Sequence, residues 1–460
     1  MTLNEYVDSI KDKSIAVVGA GVSNMPLIKL LRDGGCTVTV CDRRSLKEMG
    51  ADGQALIAMG AELNLGEGYL DDLHHDIIFR TPGLMPFEPH LEAAKARGSL
   101  ITSEMEVFLS LCPCKVIAIT GSDGKTTTSS IIAELLRKAG YNVHLGGNIG
   151  HPLLCETPGI GEDDVAVLEL SSFQLHSMKC HPDVAVITNL TPNHLDKHKD
   201  FQDYIDAKRA IYDCQDKCDR LVLNFDDEHT EYYASFARGT ISYFSDKNDV
   251  PNGTVLKDGI ICRMKDGVSH ALIPAKLIRL PGEHNVLNYL AAFTATEGMV
   301  SDEVCAFVAE NFAGVEHRLE HVRELDGVLY INDSIGTSPT RTSAGLHAMR
   351  VKPIVIAGGY DKHIPFDSLG DELCLLAKEV FLTGDTAEKI KAAIVSSKHY
   401  KTHTIKVTVI DDFRDAVLAA KNSAESGDIV LLSPACAAFD RFKNFEERGR
   451  YFKKIVMELE

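Results

Sequence analysis

Apolar residues recur along this chain in one repeated order: a short β-branched run, a glycine turn, then apolar positions three and four apart. That order predicts strand, turn and amphipathic helix, the building unit of a parallel sheet flanked by helices. SIAVVGAGVSNMPLIKLLRDGGCTVTVCDRR, residues 14–44, gives a strand, a Gly19-x-Gly21 turn, a helix and a second strand ending at Asp42. KVIAITGSDGKTTTSSIIAELL, residues 115–136, repeats the order: Val116 to Ile119 read as a buried strand, and Ile131, Ile132, Leu135 and Leu136 fall at helical spacing. After NFAGVEHRLE a third series begins, in which VLYIND, PIVIAGG, VFLTG and DIVLLSPA alternate with helical patterns. The stretch from about 240 to 280, rich in Gly, Lys and Asp, reads as hairpins inserted in the middle unit.

The fold class is therefore α/β, and 460 residues suit about three domains. The expected divisions are a Rossmann-like domain at 1–103, a central P-loop domain with a mainly parallel sheet at 104–312, and a second Rossmann-like domain at 313–460. With 45% apolar and 25% charged residues, bulk disorder is excluded. A formal net charge of −18 argues against a nucleic-acid or anionic-membrane partner, since both need a basic face. Apolar runs fall short of the roughly 18 residues of a membrane span, and MTLNEYVDSIKDK lacks a secretory apolar segment, so a cytoplasmic location is expected. The 12 cysteines lack zinc-site spacing and read as reduced thiols packed as small hydrophobes.

The candidate chemistry sits at the turns. Gly121 to Gly124 lie at a strand-to-helix junction, where free N–H groups and the helix dipole favour a phosphate. Lys125 adds a point charge for the β/γ-phosphates and Thr126 a hydroxyl for Mg²⁺. The pattern is shortened, because the P-loop glycine expected five residues before Gly124 is Ile119. The first turn is also incomplete: Asn24 replaces the third glycine of a dinucleotide fingerprint, while Asp42 stands where an acid would meet a ribose hydroxyl. Arg43 and Arg44 either pair with a second phosphate or are solvated. In DDVAVLELSSFQL an apolar strand ends in Glu169, roughly forty residues after the P-loop lysine, where a second Mg²⁺ ligand is expected. VAVITNLTPNHLDKH then carries His194, Asp196 and His198 past a strand end, with His194 the best metal or substrate contact. Lys208 lies in the amphipathic YIDAKRAIY, where the ordinary reading of a lysine is a solvated one.

The motifs TGSDGKTTT, GGNIG, LELSSFQL, NHLDKH, AKRAIY, GEHNVLN, HRLE, INDS and LLSPACAAFDRFKNFEERG, in this order, resemble those of the ATP-dependent Mur ligases from about residue 14 to 450. The closing motif together with the Rossmann-like start is similar to the type that adds D-glutamate to UDP-N-acetylmuramoyl-L-alanine in peptidoglycan synthesis. The resemblance implies a peptide-bond ligase using ATP and Mg²⁺ on small-molecule substrates, expected to act as a monomer. It places Val22, Ser23, Asp42, Arg43, Arg44, Thr81, Pro82 and Gly83 at the uridine diphosphate, and Gly121, Ser122, Asp123, Gly124, Lys125, Thr126 and Thr127 at the ATP phosphates. Asn148, Glu169, Ser171, Gln174 and His194 would surround the reacting carboxylate and metal, and Lys208 matches a lysine carried as a carbamate. Asn285, Asn288, Arg318 and Asp333 match ATP positions; Thr337, Lys362 and Phe445 match D-glutamate positions. Two departures stand out: Ile335 replaces a lysine that helps bind the amino-acid carboxylate, and Ala438 replaces a serine beside it. A folylpolyglutamate synthase-like ligase would need no Rossmann-like start. An NAD-dependent dehydrogenase would leave residues 115–450 without a purpose.

Overall fold

The computed structural model describes residues 1–460 except Val22, His151, 193–196, Pro281, Lys362, His363, His403 and Thr404. The chain divides into two compact units, Met1–Phe312 and Ala313–Glu460.

The first unit opens with β1 (Ser14–Val18), α1 (Asn24–Asp33), β2 (Thr37–Asp42), β3 (Glu62–Leu65), β4 (Ile77–Phe79) and β5 (Leu100–Thr102). Its strands form a parallel sheet in the order β3-β2-β1-β4-β5. A second sheet follows, built from β6 (Lys115–Thr120), β7 (Val143–Gly147), β8 (Val165–Glu169), β9 (Val184–Ile187), β10 (Arg220–Asn224), β11 (Thr240–Ser245), β12 (Gly253–Lys257), β13 (Ile260–Lys265) and β14 (Val268–Pro274). The order is β14-β13-β12-β11-β10-β9-β6-β8-β7. Four of its helices or helical turns bear on the site: α2 (Lys125–Lys138), α3 (Ser172–Leu175), α4 (Phe201–Arg209) and α5 (Glu283–Ala295).

Strand chemistry explains the layering. Successive side chains of a strand point to opposite faces, and a parallel sheet has both faces covered, so its strands are apolar throughout. In β6, Val116 and Ala118 join one apolar cluster, while Ile117 and Ile119 join another with Ile131, Ile132, Leu135 and Leu136 of α2 and Tyr289 to Phe293 of α5. Ile119 is fully buried there, which accounts for the shortened glycine pattern. A buried isoleucine contributes about 2 kcal/mol that a glycine would forgo. The cluster containing Val116 and Ala118 also holds Ile15 and Val17 of β1, so the two sheets share apolar packing.

The hairpin expectation is met only in part. β12, β13 and β14 pair antiparallel, but β11 pairs parallel with both β10 and β12, and all four extend the main sheet. Phe244 and Ser245 of β11 are buried on opposite faces, as a sheet interior requires, while the Gly- and Asp-rich pairs fall in the turns at 258–259 and 266–267.

The second unit holds β15 (Glu320–Leu325), β16 (Val328–Asn332), β17 (Ile354–Ala357), β18 (Glu379–Leu382), β19 (Lys406–Val409), β20 (Ile429–Leu432) and the closing helix α6 (Phe445–Glu458). Its order is β15-β16-β20-β17-β18-β19, parallel except at the β15–β16 edge. Among the described residues no helix is long and apolar enough to cross a membrane.

Candidate active site

β6 ends at Thr120 and α2 begins at Lys125, so Gly121–Gly124 form the strand-to-helix connection the pattern predicts. Two of its positions require glycine. Gly121 has φ 147° and Gly124 φ 79°, and a Cβ on them would collide with Thr188 Oγ1 and Asn288 Oδ1 respectively. The loop is braced from the end of β9: Asn189 Oδ1 accepts from Asp123 N at 2.9 Å, and Thr188 Oγ1 donates to the Asp123 carbonyl at 2.6 Å. Asn288 accepts from Thr128 Oγ1 at 3.2 Å and donates to Asn285 Oδ1 at 3.0 Å, tying α5 to the first turn of α2.

Two amines converge on this loop. Lys125 Nζ donates to the Gly121 carbonyl at 3.0 Å and the Ser122 carbonyl at 2.7 Å, and Lys208 Nζ donates to the same Gly121 carbonyl at 2.7 Å. The solvated reading of Lys208 is overturned, because only 1% of the residue is exposed. Its Nζ lies 4.5 Å from the Tyr204 ring centroid, and Tyr204 hydroxyl meets Ser122 Oγ at 3.0 Å. Burial, reinforced by the nearby Lys125 charge, holds the Lys208 ammonium well below its ordinary pKa. The result is a buried amine, its proton held less tightly than an ordinary lysine's, beside a phosphate loop.

Glu169 ends β8, which lies next to β6 with Glu169 opposite Ile119. It is 2% exposed; Oε1 accepts from Asn148 Nδ2 at 2.9 Å, and Oε2 is buried without a hydrogen-bond partner among the described residues. An unpaired buried carboxylate oxygen is costly, and it is the donor a divalent cation would take. Just beyond, Ser171 and Gln174 cap α3 reciprocally: Ser171 N and Oγ donate to Gln174 Oε1 at 3.0 and 2.9 Å. Gln174 lines a cleft with Ser23, Asn24, Arg80, Pro82 and Gly147, so both sheets of the unit contribute to it. Val22, His194 and Lys362, expected at the site, fall outside the described residues.

At the first turn, Asn24 does what the absent glycine could not: its Nδ2 donates to the Val18 and Gly19 carbonyls at 3.2 and 2.8 Å. The Asp42 carboxylate, expected for a ribose hydroxyl, is engaged internally by Ala20 N and by Arg44 N, Nε and Nη2. Burial would raise its pKa, but those donors outweigh burial and bring it down to about 2. Arg44 is thus paired with Asp42 rather than merely solvated, and Arg43 is exposed.

In the second unit Asp333 follows β16. Burial pushes its carboxyl up to about 6, although Ser433 Oγ donates to it at 2.7 Å and Leu319 N at 3.3 Å. Arg318 is exposed in the turn before β15, Thr337 is half-buried, and Phe445 meets the His317 ring edge-on at 6.0 Å. Ile335 is half-buried and Ala438 buried.

A family model described as the Mur ligase middle domain matches residues 119–296, and one described as the Mur ligase, glutamate ligase domain matches residues 317–436. The UDP-N-acetylmuramoylalanine–D-glutamate ligase of Acetivibrio thermocellus is 46% identical over 462 residues, covering 100% of this chain and 99% of that protein. The chain belongs to the Mur ligase family. The enzyme of the same name from Clostridium beijerinckii is 47% identical over 99% of both chains. Among solved structures, the Mur ligase fold is shared with UDP-N-acetylmuramate-alanine ligase from Thermotoga maritima, with a TM-score of 0.56 at 18% identity, covering 97% of this chain and 99% of that one.

Within this Mur ligase, several residues with evident work in the fold of the site escaped the sequence reading. Arg448 is 2% exposed, and its guanidinium donates to Ser334 Oγ at 3.1 Å and to the Ser334, Cys436 and Ala437 carbonyls at 3.0, 3.0 and 3.2 Å. It thereby pins the INDS loop and the SPACAA loop to α6; burial lowers its pKa to about 10. His198, named above only as a residue past a strand end, is a buried brace in the loop before α4: Nδ1 meets Asp203 Oδ2 at 2.8 Å and Nε2 meets Ser172 Oγ at 3.0 Å, joining α4 to α3. The SPACAA loop also needs Gly359 beside it, since a Cβ there would strike the Ala437 carbonyl.

Proposed function

We propose that this chain is an ATP-dependent ligase that forms the amide bond between UDP-N-acetylmuramoyl-L-alanine and D-glutamate in peptidoglycan precursor synthesis. The names of full-length relatives at 46–47% identity support the reaction. The arrangement that carries it is the phosphate loop itself: Lys125 and a buried Lys208 share the Gly121 carbonyl, with the Glu169 carboxylate on the adjacent strand.

Amide formation from a carboxylate requires a better leaving group than oxide. The substrate carboxylate attacks the γ-phosphorus of ATP, an O–P bond forms, and ADP leaves with the electrons of the broken bond. The amine of D-glutamate then attacks the acyl carbon of the resulting acyl phosphate, loses a proton, and expels inorganic phosphate. Gly121 to Thr127 present N–H groups and the α2 N-terminus to the phosphates, and Lys125 offsets the charge that gathers on the transferred group. Thr126, Glu169, His194 and a carbamate on Lys208 would hold Mg²⁺, which when bound supplies further positive charge; the partnerless Glu169 Oε2 fits that use. Asn285 and Asn288 stand by for ATP next to the loop.

Ser23, Arg43 and Arg44 are assigned to the uridine diphosphate, with Val22, Thr81, Pro82 and Gly83; Asp42 holds Arg44 in place for it. Asn148, Ser171 and Gln174 are assigned to the sugar and alanine half. In the second unit, Arg318 and Asp333 are assigned to ATP, and Thr337, Lys362 and Phe445 to D-glutamate. In place of the lysine replaced by Ile335, Arg341 is a nearby cation in the helix Pro339–His347 that follows, its Nη1 donating to the Ile335 carbonyl at 3.5 Å. The three regions 1–103, 104–312 and 313–460 divide these duties. The protein acts as a cytoplasmic monomer on small molecules.

Phosphate release from ATP, measured with UDP-N-acetylmuramoyl-L-alanine and a panel of D- and L-amino acids, tests the assignment. Release is expected with D-glutamate and not with L-glutamate or D-alanine. Activity confined to another amino acid would refute the named acceptor while leaving the ligase chemistry intact.

A further inference from the structure

Arg80 follows directly on the last residue of β4 and stands one residue before the Thr81–Gly83 turn; 2% of it is exposed. A buried guanidinium is costly unless its N–H groups are paired. The pairing crosses between the two sheets of the unit. Nε and Nη2 donate to Ser177 Oγ at 3.2 and 2.8 Å, Nη2 also donates to the Phe173 carbonyl at 2.9 Å and the Gln174 carbonyl at 3.4 Å, and Nη1 donates to the Leu84 carbonyl at 3.0 Å. No carboxylate hydrogen-bonds to it among the described residues, and Glu106 offsets its charge at longer range.

The acceptors have a common location. Phe173 and Gln174 belong to α3, a helix of 4 residues, and Ser177 lies just past its end. So short a helix has little stability of its own, and its last carbonyls have no intrahelical donors. Arg80 supplies those donors. Its backbone is meanwhile fixed in the first sheet, with Arg80 N donating to the Thr102 carbonyl at 2.9 Å and Thr81 N to the Val18 carbonyl at 3.1 Å. One side chain thus sets the distance between the Thr81–Gly83 turn and the helix bearing Ser171 and Gln174. The cleft between them is lined by Arg80, Pro82 and Gln174.

We propose that Arg80 is a positioning residue that presets α3 against the Thr81–Gly83 turn, so that Ser171 and Gln174 meet the sugar and alanine half of the UDP-linked substrate. This rests on the function proposed above. Lysine could not replace it, because a single ammonium lacks the planar fork that reaches Leu84, Phe173 and Ser177 together.

Calorimetric binding of UDP and of UDP-N-acetylmuramoyl-L-alanine to the full chain tests the inference in wild type, Arg80→Ala, Arg80→Lys and Ser177→Ala. In Arg80→Ala, UDP affinity should stay within about twofold, while the additional affinity given by the sugar and alanine should fall at least about tenfold, the scale of lost charged hydrogen bonds. Arg80→Lys should not restore it. Ser177→Ala, which removes the acceptor of two of the bonds without removing the cation, should show the same loss in smaller degree and stands in if Arg80→Ala does not fold. An equal loss of affinity for both ligands would overturn the inference, since a residue that only holds the fold weakens both. Unchanged affinities in the variants would overturn it as well. If wild type bound the full substrate no more tightly than UDP, the substrate assignment itself would fall, and this inference with it.

Discussion

Lys125→Ala abolishes ATP-dependent phosphate release, with a loss of at least about a thousandfold in kcat. The expectation follows from where the lysine sits. Its ammonium bonds the Gly121 and Ser122 carbonyls at the mouth of the loop, with the N-terminus of α2 immediately behind it. Phosphoryl transfer gathers charge on the γ-phosphate oxygens, and a preorganised donor in a sheltered site is worth roughly two to three orders of magnitude. Lys125 also carries a full charge, which backbone N–H groups cannot replace. The loop itself is held by Asn189, Thr188 and Asn288, none of which bonds to Lys125 in the contacts above, so the variant should fold and bind the UDP substrate as wild type does. Phosphate release within tenfold of wild type would sink the P-loop assignment.

Lys208→Ala is severely impaired, and short carboxylic acids such as acetate or formate restore part of the activity. An amine with its pKa held down by burial and by Lys125 gives up its proton more readily than a solvated lysine, and once unprotonated it can add to carbon dioxide. In that step the nitrogen lone pair forms an N–C bond, one C–O π bond becomes a carboxylate, and the nitrogen sheds a proton. The product is an anion where the sequence has a cation, next to Gly121. A small carboxylate diffusing into the space left by the alanine variant supplies the same charge. Lys208→Arg should be as inactive as the alanine variant and beyond rescue, because a guanidinium fills the space and forms no carbamate. Full activity of Lys208→Ala without added acid would show that no anion is needed there.

The strand–turn–helix units were legible because parallel strands covered on both faces are apolar throughout, and the helices that cover them repeat at three and four. Lys208 was also legible, by a signal periodicity contains but a residue-type prior hides. In YIDAKRAIY it stands on the apolar stripe, with Tyr204 four residues before it and Ile211 and Tyr212 three and four after, all buried. Arg448 stands likewise, four residues before the buried Phe452. A cation at an apolar-face position of an amphipathic helix is therefore worth reading as buried. Contacts set by the packing of distant segments gave no such signal. Whether Arg80 reaches α3 depends on backbone carbonyls and a serine 93 to 97 residues away in the chain. The sharing of one apolar cluster by the first two sheets is of the same kind.

The central claim is that the nucleotide serves to activate a carboxylic acid. Synthesis with UDP-N-acetylmuramoyl-L-alanine labelled with oxygen-18 in its carboxylate, followed by mass analysis of the inorganic phosphate, tests it most directly. The predicted result is one labelled oxygen in each phosphate released with amide formation. Phosphate free of label, with the amide still formed, would contradict it.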